Sequence, residues 1–438
     1  MSLLRADQSL TQNSYYDATA RREQTFPPLQ GSTACDVAIV GGGLAGLSAA
    51  VELAERGFSV VLLEARAIGF GASGRNGGQA LAGLACEQTE IERQLGLEAS
   101  RRVWDMTLEA IDLIGQRCQR YAIDCDWRPG YLSLAVNERK GRELGQWHER
   151  MQRDYGFDAR PIAPAEMGQW IASPRFHSGL HDPRSGHLHP LKYTLGLGRA
   201  AAAAGVRIHE NTPVTALRAG AKSVLSTARG SVTANHVLLA GNVYLQGVAP
   251  LLEARIMPVG TYIVASERLA PELARSLVPS QSAVCDTNFV LDYFRTTADD
   301  RVLFGGRVSY STLTPANLAE SMRARMRRTF PQLERTQVEY AWGGFVDITM
   351  NRAPDFGRLA DLGAGKDFAS VYYLQGFSGH GLALTGLAGK LVAEAIAGDA
   401  SRLDLFSRLR HRNFPGGALL RKPALVLGMA YYRLRDLI

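Results

Sequence analysis

Cysteine is scarce in this chain: five residues in 438, at positions 35, 86, 118, 125 and 285. They are odd in number, scattered and never spaced as Cys-x-x-Cys, which excludes a disulfide-stapled scaffold and a thiolate zinc site. That usage fits a reducing cytoplasm, the expected location. Long apolar runs are lacking too, since no stretch approaches the ~18 uncharged apolar residues of a membrane span. The opening Met1-Ser2-Leu3-Leu4-Arg5-Ala6-Asp7 has no apolar core followed by a cleavage site, so no secretory signal is expected. Nor is there a basic tract with aromatic residues between the charges. Lys and Arg outnumber Asp and Glu by 49 to 42, a net charge of +7, but the two signs are interspersed. This excludes nucleic acid as the expected partner and leaves some positive charge for an anionic ligand. At 46% hydrophobic and 21% charged, the composition is that of a globular chain, long enough for two domains.

Glycine is plentiful, and its placement is informative. In Asp36-Val37-Ala38-Ile39-Val40-Gly41-Gly42-Gly43-Leu44-Ala45-Gly46 a short apolar strand runs into Gly-x-Gly-x-x-Gly, and a helical pattern follows as far as Gly57. Gly41 permits the tight turn, Gly43 lets the backbone approach a pyrophosphate, and Gly46 lets helix and strand pack closely. The helix amino terminus offers N–H groups and a positive dipole end to phosphate. Phe58–Leu63 reads as the next strand, and Glu64 stands where an acid accepts from ribose hydroxyls. Strand, turn, helix, strand and acid together predict a bound adenine dinucleotide.

Two further glycine-rich loops select the dinucleotide. Gly69-Phe70-Gly71-Ala72-Ser73-Gly74-Arg75-Asn76-Gly77-Gly78-Gln79 follows at once, where NAD needs no such loop but a bulky tricyclic ring does. Near the other end, a strand at Val371–Leu374 leads to Gly376-Phe377-Ser378-Gly379-His380-Gly381 and a helical pattern from Leu382 to about Ile396. A helix amino terminus there can face a flavin and stabilise negative charge on the reduced ring. Three such loops favour FAD.

Together with Trp342-Gly343-Gly344 and Asn351-Arg352-Ala353-Pro354 followed by Phe356-Gly357, these segments resemble the glycine/D-amino-acid oxidase (DAO) family of FAD-dependent oxidoreductases. The resemblance runs from about Tyr15 to the end and is strongest to the γ-glutamylputrescine oxidase branch. It implies an α/β (α+β overall) architecture, with a glutathione-reductase-like Rossmann FAD-binding domain and a second, sheet-roofed substrate domain. The FAD-binding domain is expected at 1–108, 186–246 and 340–438, and the substrate domain at 109–185 and 247–339. The resemblance also assigns cofactor contacts. They are Gly41, Gly43, Leu44, Ala45 and Gly46; Glu64, Ala65 and Arg66; and Ala72, Ser73, Arg75, Asn76, Gly77 and Gln79. Val214 is placed by the adenine, Ala240 and Gly241 beneath the pyrophosphate, and Gly379, His380 and Gly381 by the flavin. Relatives that tether flavin use a cysteine late in the second domain, and none follows Cys285, so FAD is expected to be non-covalent.

The implied reaction is oxidation of a C–N bond, with hydride passing to flavin N5 and the imine hydrolysed by water. It asks little of side chains beyond orientation. Two departures bear on substrate. Where many relatives hold an α-carboxylate with arginine or lysine, this sequence has Val346, followed by Asp347, and Ala383. The expected substrate is therefore a primary amine on a longer chain, such as γ-glutamylputrescine, with its carboxylate bound elsewhere. Arg295 and Arg307 are candidates for that contact and Tyr293 for orientation, against the plainer reading of strand-edge residues. Tyr293 and His380 are the catalytic candidates, although His380 can equally support its loop. His181, His187 and His189 lack metal-site spacing, and no metal is expected. The electron acceptor is oxygen or, alternatively, a quinone or carrier protein, because the position of an oxygen-activating lysine in sarcosine oxidases aligns with Leu303. A flavin-binding sensor without turnover is a further alternative. The basic, apolar tail Leu419–Ile438 packs on the FAD domain in this reading, or touches a membrane surface weakly.

Overall fold

Val37–Val40 and Val60–Leu63 are apolar at every position, as strands covered on both faces must be. In the computed structural model, which describes residues 3–8, 10, 13–245, 247–288, 291–309 and 317–415, they lie at the centre of the first of two sheets. The tail from Leu419 to Ile438 lies outside the described residues. The order of the first sheet is Asp355–Arg358, Val371–Gln375, Gly230–Leu239, Gly31–Val40, Val60–Leu63, Arg207–His209. Only the first of these pairings is antiparallel. The hairpin Val214–Arg218 and Ser223–Thr227 extends it from Gly230–Leu239. Gly230–Leu239 is one strand of ten residues, whose polar middle stays in register with Gly31–Val40.

Alternate residues feed two cores, as a two-residue period requires. Val37, Ile39, Val60 and Leu62 face the helices, while Ala38, Val40, Val61 and Leu63 face Leu225 and Val232. On the helical face, Leu44–Glu55 packs on Leu382–Ile396, so closely that a Cβ on Gly389 would come within 2.5 Å of the Ala45 carbonyl oxygen. The helix Leu97–Arg120 lies beside them and sends the buried Arg117 to Ser48 Oγ at 2.7 Å and Glu52 at 3.1 Å.

The second sheet runs Val338–Thr349, Ile256–Ser266, Val302–Ser309, Tyr293–Thr296, Ala283–Asp286, Arg128–Ala135, Ser178–His187, Gln79–Ala80, with Arg160–Ile162 branching from Ser178–His187. Its apolar core includes Leu132, Val264, Phe294 and Phe304, with Met322 and Met326 from the helix Leu318–Thr329. Three expected domain boundaries cut continuous elements, and the one at 185/186 falls inside Ser178–His187. Position 108 falls inside Leu97–Arg120, and 340 falls inside Val338–Thr349, which is hydrogen-bonded along Ile256–Ser266. We therefore place the divisions after Arg120, His187 and Thr349, with the edge strand Gln79–Ala80 lent to the second sheet.

Candidate active site

Between the sheets lies a cavity of about 1190 Å³, larger than the roughly 300–1,000 Å³ of a single small-molecule site. One wall is backbone. Gly41 adopts φ +115° and donates its N–H to Leu63 O at 2.9 Å, and a Cβ there would stand 2.5 Å from Ala240 O. A Cβ on Gly46 would fall 2.0 Å from Gly41 O. The turn, the strand end Ala240-Gly241 and the helix start are thus pressed together with no room for side chains. Gly41, Gly43, Leu44, Ala45, Ala240 and Gly241 line the cavity, whereas Gly46 lies behind them and does the packing. The Leu44 N–H is not free for a phosphate, because it donates to Ser73 Oγ at 2.9 Å.

Glu64 and Ala65 line the same end, with Val214. The Glu64 carboxylate accepts from Gly42 N at 2.7 Å and Arg66 N at 2.8 Å. Burial raises its pKa, and those N–H groups pull it back. Each oxygen keeps a lone pair for a further donor. Arg66 serves Glu64 through its backbone and does not line the cavity.

Ala72, Ser73, Arg75, Asn76, Gly77 and Gln79 line the next stretch. Asn76 ties its own loop, donating to Ala72 O and accepting from Gly78 N, and Gln79 donates to Val284 O in the second sheet. Arg75 is buried, its guanidinium 4.6 Å above the Phe70 ring. It pairs with Asp7 at 2.9 Å and donates to Phe70 O and Gly343 O. Asp7, on the helix Leu3–Gln8, also accepts from the Tyr244 hydroxyl. The Trp342-Gly343-Gly344 segment has a steric reason here. A Cβ on Gly344 would come within 2.6 Å of Arg75 Cδ, and one on Gly343 within 2.7 Å of the Tyr262 ring.

The strand Val338–Thr349 also grips the third glycine loop. Asp347 Oδ2 accepts from Gly376 N at 2.5 Å, and Ser378 N donates to Asp347 O at 3.1 Å. Asp347 is buried on the cavity wall, and desolvation raises its pKa to about 7, against the pull of those N–H groups. Gly379, His380 and Gly381 line the cavity. The His380 ring pairs through Nε2 with Ala82 O at 3.1 Å, and burial lowers its pKa, so a neutral ring donating to that carbonyl supports the loop.

The opposite wall is made of side chains, among them Tyr131, Cys285 and Tyr293. Tyr293 is fitted between glycines, since a Cβ on Gly77 would come within 2.7 Å of its ring and one on Gly305 within 2.1 Å. Burial pushes its phenol well up, so it keeps its proton. Arg295 is a correction: it is buried outside the cavity lining. It donates to Gly77 O, Leu188 O and the Tyr16 hydroxyl, tying its strand to the second glycine-rich loop and to the helix Tyr15–Thr19 rather than meeting substrate. Arg307 has its backbone in Val302–Ser309, and its side chain lies outside the described residues. The three histidines serve different neighbours. His187 pairs with Gln281 O, His189 caps the helix Pro190–Ala203, and His181 lies against Trp170. Burial, then the charge of Arg295, lowers both His187 and His189 to about 3.

Sequence reasoning missed Asp7, Tyr131 and Tyr244, and a group of charged residues at 139–143 that also line the cavity or its supports. No local pattern marks them. A tyrosine three residues after Gly241 was the nearest thing to a signal.

This backbone cradle, the acid at its ribose end and the two loops beyond fit a flavin dinucleotide and define an FAD-dependent oxidoreductase. The model of the family described as "DAO: FAD dependent oxidoreductase" matches residues 36–395, and the chain belongs to that family. It is 43% identical over 426 residues to γ-glutamylputrescine oxidoreductase of Escherichia coli, covering 97% of this chain and 98% of that one. It is 39% identical to a probable oxidoreductase OrdL of Haemophilus influenzae, covering 97% of both. The crystal structure of glycine oxidase from Geobacillus kaustophilus superposes with a TM-score of 0.72 at 23% identity, over 87% of this chain and all of that one, which shows the shared fold. The protein is thus an enzyme acting on CH–NH or CH–NH2 donors, and a sensor without turnover is set aside. Among the described residues no helix is long and apolar enough to cross a membrane.

Proposed function

We propose that the enzyme oxidises the terminal primary amine of a long, carboxylate-bearing substrate, a γ-glutamylated diamine such as γ-glutamylputrescine, with oxygen as electron acceptor. The observation that carries this reading is the apolar chemistry at the two positions where amino-acid-oxidising relatives hold a carboxylate. Val346 lines the cavity, and Ala383 is buried in the helix Leu382–Ile396. Similarity to γ-glutamylputrescine oxidoreductase supports the same substrate class.

FAD, when bound, supplies the acceptor for a hydride from the carbon next to nitrogen, and water hydrolyses the resulting imine. The chain's own residues hold and orient. The backbone of Gly41–Ala45 and Ala240-Gly241 would cradle the pyrophosphate, Glu64 would accept from the ribose, and the Gly376–Gly381 loop would face the ring. Tyr293, protonated and wedged between Gly77 and Gly305, would turn the amine toward the ring from the second sheet. Apolar Leu81, Leu84 and Leu291 on the cavity wall would keep water from the reacting carbon.

The test is kcat/KM for γ-glutamylputrescine against sarcosine and D-alanine, in air, with peroxide as a second readout. A desolvated, unpaired α-carboxylate at ~3 kcal/mol predicts a preference of about two orders of magnitude. Faster turnover of either small amino acid overturns the substrate assignment. Aldehyde formed with a dye acceptor, but no peroxide formed in air, replaces oxygen with a quinone or carrier.

A further inference from the structure

The substrate reading leaves one end of the molecule without a partner. γ-Glutamylputrescine carries an α-carboxylate and an α-ammonium on its glutamyl head, separated from the reacting carbon by two methylenes, an amide and three further methylenes. With Arg295 committed to the protein, the cation for that head comes from elsewhere on the cavity wall.

Three charged side chains of one helical turn line the cavity: Arg139, Lys140 and Glu143. They belong to the helix Glu138–Tyr155, whose start is set by the Asn137 side chain accepting from Lys140 N at 2.9 Å. Lys140 is buried and donates from Nζ to Thr287 O at 2.8 Å, which pins the turn to the end of the strand Ala283–Asp286. Arg139 and Glu143 stand at the mouth, 47% and 57% exposed, and pair with each other at 2.8 Å. Arg352, another arginine on the lining, belongs to the opposite side. It follows Thr349 at the end of the strand that grips the Gly376–Gly381 loop, and its charge acts on His380.

Resting on the γ-glutamylated-amine reading, we propose that this turn is the recognition site for the α-amino-acid head, with Arg139 and Lys140 taking the carboxylate and Glu143 the ammonium. The geometry of exchange is simple. An exposed i,i+4 pair contributes little, so the Arg139–Glu143 contact opens easily. The arriving head then gives each side chain a new partner of the right sign. Adjacent opposite charges select a zwitterion over a plain anion or a plain amine, because either of those leaves one side chain facing a like charge or none. Apolar wall and charged turn would thereby divide the substrate, reacting carbon at one end and head at the other.

The experiment compares γ-glutamylputrescine with N-acetylputrescine, which keeps the amide and the amine and lacks the head. The readout is the ratio of their kcat/KM values in the FAD-loaded parent enzyme and in Arg139→Ala, Glu143→Ala and Lys140→Met. We expect the parent to prefer the glutamylated amine. In Arg139→Ala and Glu143→Ala the ratio falls at least tenfold, mainly through KM for the glutamylated amine. Both side chains are exposed, so these variants keep the test open if Lys140→Met fails to fold. A parent with no preference overturns the substrate reading itself. A parental preference that all three variants retain, or that is lost in Arg352→Met instead, overturns the head site alone.

Discussion

Backbone forms the cavity wall on the side of the first sheet, and side chains form it on the side of the second. The first wall is close contact, Gly41 against Ala240, and behind it Gly46 packs on Gly41 and Gly389 on Ala45, each with no room for a Cβ. The second is Tyr131, Cys285 and Tyr293 with a charged turn at its rim. The contrast follows from what each wall handles. A dinucleotide offers the same phosphates and ribose in every relative, and backbone N–H groups bind them wherever the chain comes near enough. A substrate differs from one relative to the next, and only side chains can be exchanged without rebuilding the fold.

If this contrast is right, the largest effect comes from crowding the backbone wall. Gly46→Ala places a methyl 2.0 Å from the Gly41 carbonyl oxygen, so the purified variant is expected to lose bound FAD altogether. A yellow Gly46→Ala protein with the parent's flavin content would break the comparison at its root. Next comes Arg295→Met, which removes hydrogen bonds to two carbonyls and a tyrosine hydroxyl. At ~1–3 kcal/mol for each group left buried without a partner, a loss of at least about 3 kcal/mol of stability is expected, with KM little changed in the folded fraction. A selective rise in KM with no change in melting temperature would return Arg295 to the substrate.

Glu64→Ala is expected to weaken FAD binding by ~1–3 kcal/mol, measured by titrating flavin-free protein, through lost hydrogen bonds to ribose and to Gly42 and Arg66. Unchanged affinity would mean that the carboxylate serves the turn alone. The smallest effect probes the junction of the walls. The Asp347 carboxyl titrates near 7 when folded and near 3.9 when unfolded, so the folded chain holds the extra proton between those values. Its contribution to stability therefore declines as pH rises through that window. An asparagine side chain in its place has no proton to lose, so flavin-free Asp347→Asn should gain about 1 kcal/mol on the parent between pH 6 and pH 7.5. Parallel melting profiles for the two proteins would show that this carboxyl does not titrate there.

The same contrast explains what could be read from sequence. Gly41, Gly43 and Gly46 were legible because a close approach demands one residue type at a fixed spacing, and Trp342-Gly343-Gly344 obeys the same rule against Arg75 and Tyr262. Glu64 was legible because it closes a strand of known length. Arg295 misled because a two-residue period puts it on the same face of Tyr293–Thr296 as Tyr293, and nothing in the pattern shows that the cavity ends between them: further along the strand, Arg295 meets Gly77, Leu188 and Tyr16 instead. Asp7 had no signal at all: it meets Arg75 only because the chain's first helix returns to a loop nearly seventy residues later. The expected boundaries at 108, 185 and 340 fall inside continuous elements because composition does not change along Leu97–Arg120, Ser178–His187 or Val338–Thr349.

The path of the chain between the sheets bears on how the enzyme is made. It leaves the first sheet after Leu63, returns after His187, leaves again after Leu239 and returns after Thr349. The turn at Gly41 therefore emerges from the ribosome long before the loop at Gly379–Gly381 that closes the same cavity. At ordinary synthesis rates that interval is roughly 20–70 seconds. During it the early strands have no finished sheet to join, and the cradle has one side. Cofactor capture is then a late event, set by completion of the chain rather than by its first domain, and flavin supply would act on nearly full-length molecules.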